Sequence, residues 1–91
     1  MTWTEEQYAG NLRDERRRFA WVMQHYGGLT AAQAEAAALQ RYPYEARDKP
    51  NRGLVFHREA WQWALRKIHG DMYWVEHPEL DHPPAGYEAL E

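Results

Sequence analysis

The chain has 91 residues, of which 44% are hydrophobic and 14% aromatic, and a formal net charge of -3. That length is one domain's worth, and five Trp, six Tyr and two Phe exclude wholesale disorder. With neither cysteine nor serine present, disulfide scaffolds, thiolate chemistry and serine nucleophiles are excluded too.

A first helix is announced by Thr4 and Gln7, a capping box in which each side chain satisfies a backbone donor of the other residue. Trp3 and Tyr8 occupy the flanking hydrophobic-staple positions, and Thr2 with Glu5 forms a competing box one turn earlier. Tyr8, Leu12, Phe19, Val22, Met23 and Tyr26 then fall on one helical stripe, interrupted by Glu15. Gly27-Gly28 ends it. Thr30 and Gln33 repeat the box for a second helix, rich in alanine from Ala31 to Leu39 and stopped by Pro43. Its alanine face predicts a spacer against which larger neighbours lie.

Residues 43–53 carry two prolines and alternating charges and predict a loop. A third helix is expected to start between Asn51 and His57 and to end at Gly70. The stripe of Leu54, His57, Trp61, Ala64, Leu65 and Ile68 favours an early start, with Asn51 as the cap. Beyond Gly70, Met72 to Val75 form a short apolar run expected to pack on the helices. Pro78, Pro83 and Pro84 forbid a long helix after it.

The expected fold is therefore all-α: a small bundle of three main helices with that apolar segment packed on it and an acidic tail. Residues 1–79 form the single domain, and residues 80–91 a loosely held, proline-containing tail that folding does not need. Phe19, Trp61, Leu65 and Ile68 are expected in the core.

Charge is uneven along the chain. Residues 1–28 are neutral, residues 29–70 carry seven basic against four acidic groups, and residues 71–91 carry six acidic groups and no Lys or Arg. The first expectation is that this unevenness only improves solubility; the sharper alternative is that the tail lies over a basic face or offers carboxylates to a basic partner.

Two tryptophans miss the stripes. Trp21 faces away from the first helix's apolar side, beside Arg13 and Arg17, and Trp and Arg are enriched where proteins bind one another. Arg13, Arg17 and Trp21 are thus the candidate protein-binding residues. Trp63 lies opposite Trp61 and is expected to be buried by the C-terminal segment or by a partner copy. Arg47, Lys49 and Arg52 in the loop are the candidate nucleic-acid contacts. That reading is the weaker one, because the chain is acidic and the second helix offers few base-reading side chains.

No catalytic set, cofactor motif or metal motif is visible. The histidines His25, His57, His69, His77 and His82 do not pair at the one-turn spacing of a helical zinc site. Glu15, alone on an apolar stripe, could carry a raised pKa, although an arginine partner from another helix is the commoner explanation. No apolar run approaches the roughly 20 residues of a membrane span, and no basic-then-apolar leader opens the sequence. The expectation is a cytoplasmic protein-interaction module without enzymatic chemistry, whose partner is another protein or a second copy. The alternatives are a nucleic-acid-associated protein using residues 47–52, or a small acidic inhibitor of a nucleic-acid-binding partner.

Overall fold

Both capping boxes form. A computed structural model describes residues 3–90. In it helix α1 runs Glu5–Gly27, with the Gln7 N–H donating to Thr4 Oγ1 (3.0 Å) and the Thr4 N–H to Gln7 Oε1 (3.1 Å). The competing box needs Thr2, which lies outside the described residues. Helix α2 runs Ala31–Arg41 behind the same arrangement at Thr30 and Gln33. The turn between them needs Gly28, whose φ of 71° is left-handed and lets its N–H reach the Met23 carbonyl.

Helix α1 buries Tyr8, Leu12, Phe19, Val22 and Met23 along one face, as its stripe predicts. Helix α2 buries only Ala34 and Ala38, so its backbone can lie close to α1. Tyr42 follows it into the core, and Arg16 of α1 donates to the Tyr42 carbonyl through Nε (2.9 Å) and Nη2 (2.6 Å).

The third helix starts later than its stripe suggests. Leu54–His57 form a separate 3-10 turn, Arg58 is extended (φ -121°, ψ 137°), and α3 spans Ala60–His69 with Glu59 at its N-cap. The reason is Phe56. In one continuous helix Phe56 and Trp61 would sit about 140° apart. The break turns both inward, placing Phe56 against Tyr8 (5.9 Å between ring centres) and Tyr42 (6.2 Å). Leu54 and His57 are left exposed, and Asn51 is a left-handed turn residue (φ 63°) rather than a cap.

The C-terminal region reverses a second expectation. Of the apolar run only Tyr73, the first residue of the short helix α4 (Tyr73–Glu76), is buried. Met72, Trp74 and Val75 stay 58%, 43% and 62% exposed. Tyr87, on the one-turn helix α5 (Ala85–Glu88), is instead 7% exposed and part of the core. Its hydroxyl accepts from the Trp61 N–H (3.1 Å), while the Trp61 indole donates to the Leu80 carbonyl (2.9 Å). Glu59 supplies no side-chain cap to α3, so Tyr87 satisfies one of the donors that every helix start leaves open. Leu80, Tyr87 and Leu90 therefore pack on the core; Glu91 lies outside the described residues.

The chain is thus mostly helical, with no strand among the described residues, and the all-α class holds. Phe19, Trp61 and Leu65 are core residues, and Ile68 is half-buried beside them.

Candidate functional site

Three turns of α1 and the facing side of α2 enclose a groove of ≈ 630 Å³. Arg13 and Arg17, one turn apart on α1, stand on one wall with Trp21 a further turn along. Leu39 of α2 (48% exposed) and Leu90 supply apolar surface, and Ala20 and Ala31 keep the floor low. Three residues singled out by helical geometry alone thus line one concavity. Glu35 adds a single acid on the α2 side.

Trp21 does not protrude. His25 stacks on its indole at 3.9 Å and hydrogen-bonds the Trp21 carbonyl, and Tyr87 meets it edge-on at 6.1 Å. Gly86 passes so close that a Cβ there would stand 3.0 Å from the ring. The C-terminal helix α5 thus covers part of a face that the sequence left open, and the remainder of the ring lines the groove. Arg13 is mostly exposed, with Asp14 at 3.7 Å.

The basic loop is organised by acids. Glu5 receives Arg52 at 2.6 Å, Arg47 at 3.4 Å and the Tyr44 hydroxyl at 3.0 Å. These contacts, Arg52 foremost, hold the Glu5 carboxyl below its ordinary pKa. Lys49 pairs with Glu45 at 3.5 Å, and Glu45 also accepts from the Gly53 N–H. The Arg52 side chain is 8% exposed and its guanidinium lies 3.8 Å from the centre of the Tyr8 ring. Each of Arg47, Lys49 and Arg52 has a carboxylate partner, and Arg47 and Arg52 pin the loop to Glu5 at the start of α1.

Glu15 is half-buried between α1 and the start of α3. Burial pushes its pKa up, while Arg18 at 3.3 Å and the Ala60 N–H pull it down. The partner expected from another helix is thus an arginine of α1 itself. One Glu15 oxygen and the Tyr42 hydroxyl are buried without a hydrogen bond. Burial also raises the Tyr42 pKa far above its ordinary value and pushes the Tyr87 hydroxyl up to about 12, so both phenols stay protonated at neutral pH.

Among the described residues, no three His, Asp or Glu are grouped to hold a metal. His57 is exposed, bonded through Nδ1 to the Leu54 carbonyl; His69 and His77 lie ring to ring at 4.2 Å. Among the described residues no helix is long and apolar enough to cross a membrane.

Trp63 is the residue that the sequence placed least well. It is half-exposed, its indole donating to the Val55 carbonyl (2.9 Å) that the break before α3 sets free, with Arg41 and Arg58 over its ring. No tertiary contact of this kind is periodic in sequence, so no stripe could have announced it. Compared with known proteins, the chain matches no family model, no curated protein and no solved structure, and its chemistry is read from its own residues.

Proposed function

We propose that this chain is a small cytoplasmic interaction module, without catalytic chemistry of its own, whose α1–α2 groove receives an acidic, amphipathic segment of a partner protein. The observation that carries the reading is the groove itself: Arg13 and Arg17 on one wall beside the Trp21 edge, with exposed Leu39 and half-buried Leu90 in the same concavity. Apolar side chains of the segment would enter between Leu39, Trp21 and Leu90, where burial contributes about 25 cal/mol per Å². Its carboxylates would face Arg13 and Arg17, adding charge-assisted hydrogen bonds and selecting against basic segments. From Arg13 to Trp21 the wall is about 12 Å long, or two turns of a docked helix.

The loop of Arg47, Lys49 and Arg52 gives nucleic acid less to bind, since each of those cations is already paired with Glu5 or Glu45. The groove is tested by the charge-reversed variant Arg13→Glu with Arg17→Glu, and separately by Leu39→Glu. Both leave the core alone, so urea melts should match the parent within about 0.5 kcal/mol. Partner capture from the native host, or self-association in sedimentation equilibrium, should fall at least tenfold in both. Association that survives both changes, or capture abolished by nuclease alone, would refute the groove as the binding surface.

A further inference from the structure

Among the described residues six large apolar side chains are exposed, and their placement is uneven. Met72, Trp74 and Val75 fall together at α4, and Leu39 lies in the α1–α2 groove. Helix α4 commits one side chain, Tyr73, to the core. At about 100° per residue, Met72, Trp74 and Val75 fan across the side opposite Tyr73, an apolar face open to solvent.

Acids flank that face. Asp71 precedes it and Glu76, Glu79 and Asp81 follow it, in a stretch of residues 71–91 that contains no Lys or Arg. Asp71 is held by Arg66 at 3.1 Å, while Glu79 and Asp81 pair with His77 and His82. Glu76 has no ion pair among the described residues.

We propose that the occupant of the α1–α2 groove is α4 of a second copy of this chain. The inference rests on the reading of that groove as a docking site and names what enters it. Charge complementarity carries it: Arg13, Arg16 and Arg17 line the groove against the single acid Glu35, whereas the α4 segment is apolar and acidic. Asp14 stands 3.7 Å from Arg13 in an exposed pair, and Arg16 holds the Tyr42 carbonyl. A guanidinium carries five N–H donors, so an arginine already engaged still takes a further carboxylate. Met72, Trp74 and Val75 meet Leu39, Leu90 and the edge of Trp21, which removes the exposed apolar run from water.

The chain's own α4 does not fill the groove. It packs on α3, and Trp74 lines a different cavity with His57 and Arg58. Residues 71–76 rise about 8 Å along a helix axis, within the roughly 12 Å from Arg13 to Trp21. Groove and α4 are different surfaces, so the contact is head-to-tail, unless two copies exchange α4 and close a two-fold dimer. In both arrangements each contact pairs one groove with one α4.

The experiment is sedimentation equilibrium of the full chain at low ionic strength, from about 10 µM to about 1 mM, beside three double variants. The parent should associate with a Kd of about 100 µM or tighter. Met72→Gln with Val75→Gln removes the apolar contact, Glu76→Lys with Glu79→Lys reverses the α4 charge, and Arg13→Glu with Arg17→Glu reverses the groove. Each alone should weaken association at least tenfold. The α4 variants should keep the parent's melting temperature, because all four side chains are exposed. Mixing the two charge-reversed proteins in equal amounts should restore association to within about threefold of the parent, since each then offers the other its match. A parent that stays monomeric to about 1 mM would overturn the proposal. So would α4 variants that associate as tightly as the parent, or a mixture that fails to recover. If the groove variant still loses its partner in those cases, the groove stands and holds another protein. Self-association undiminished by both Arg13→Glu with Arg17→Glu and Leu39→Glu would remove the groove reading as well.

Discussion

The helices α1 and α2 and the last twenty residues of the fold are held in different ways. The first region is assembled from local instructions: two capping boxes, an apolar stripe broken by Glu15, a left-handed glycine and an alanine face. The second has no helix longer than four residues and keeps its place through single aromatic side chains. Tyr73 and Tyr87 are buried while their apolar neighbours Trp74 and Val75 remain exposed. Hydrophobicity alone therefore does not decide what is buried there. For Tyr87 the hydroxyl also meets a polar need of the main fold, accepting from the Trp61 N–H.

Trp61 joins the two regions, and its loss should have the largest effect. Truncation to Ala removes a fully packed indole and the bond to the Leu80 carbonyl, at a cost of about 3 to 5 kcal/mol. That is a large share of the roughly 5 to 15 kcal/mol that holds a domain together. Phe19→Ala, within α1, should cost about as much, and a urea titration monitored by circular dichroism compares them. The difference lies in the tail: Trp61→Ala should also speed amide exchange at Leu80 to Leu90, and Phe19→Ala should not. Equal exchange in both variants would mean that the C-terminal region is not tied through Trp61.

The next effect separates Tyr87 from Val75. Tyr87→Ala should cost about 2 to 4 kcal/mol, from its buried area and one buried hydrogen bond. Tyr87→Phe should cost about 1 kcal/mol, by leaving the Trp61 N–H without an acceptor. Val75→Ala should cost under about 0.5 kcal/mol, as an exposed position does. Thermal melts of the three variants check the order. If Val75→Ala proved the more damaging, the apolar run would be packing on the core after all.

How far each region was legible follows from the same contrast. Thr4, Thr30 and Gly28 act on residues within one turn of themselves, so their roles can be read in place. The start of α3 could not be, because it is set by the need to turn both Phe56 and Trp61 inward, and Phe56 finds its partners on α1 and beyond α2. Tyr87 is invisible for a similar reason: its partner Trp61 is 26 residues away. At the candidate site, Arg13, Arg17 and Trp21 were found because they share one helix face. The cover that Gly86 lays over Trp21, and the gathering of Arg41 and Arg58 at Trp63, are long-range and carry no period.

The smallest effect contrasts two carboxylates on α1 itself. Glu5 is held ionised by Arg52 and Tyr44, so its pKa in the fold lies below the ordinary 4.5. The stability it adds is present above that value and is lost as pH falls through the lowered one. Glu15 has the opposite sign. Burial outweighs the pull of Arg18 and the Ala60 N–H, so its folded pKa lies above 4.5. Its contribution is therefore greatest below 4.5 and is lost as pH rises through the raised value. Relative to Glu15→Gln, the parent should gain stability on acidification from neutral pH to about 4.5. The gain should be on the order of 1 kcal/mol, the scale of one hydrogen bond or one partly screened charge. Relative to Glu5→Gln, the parent should instead lose stability as pH drops below 4.5. Urea melts of the three proteins between pH 3.5 and 7, in buffers of matched ionic strength, give both curves. A parent that loses stability against Glu15→Gln on acidification would mean that the pair with Arg18, 3.3 Å away, prevails over burial. Glu15 would then be a structural ion pair like Glu5, rather than a charge that the core holds at a cost.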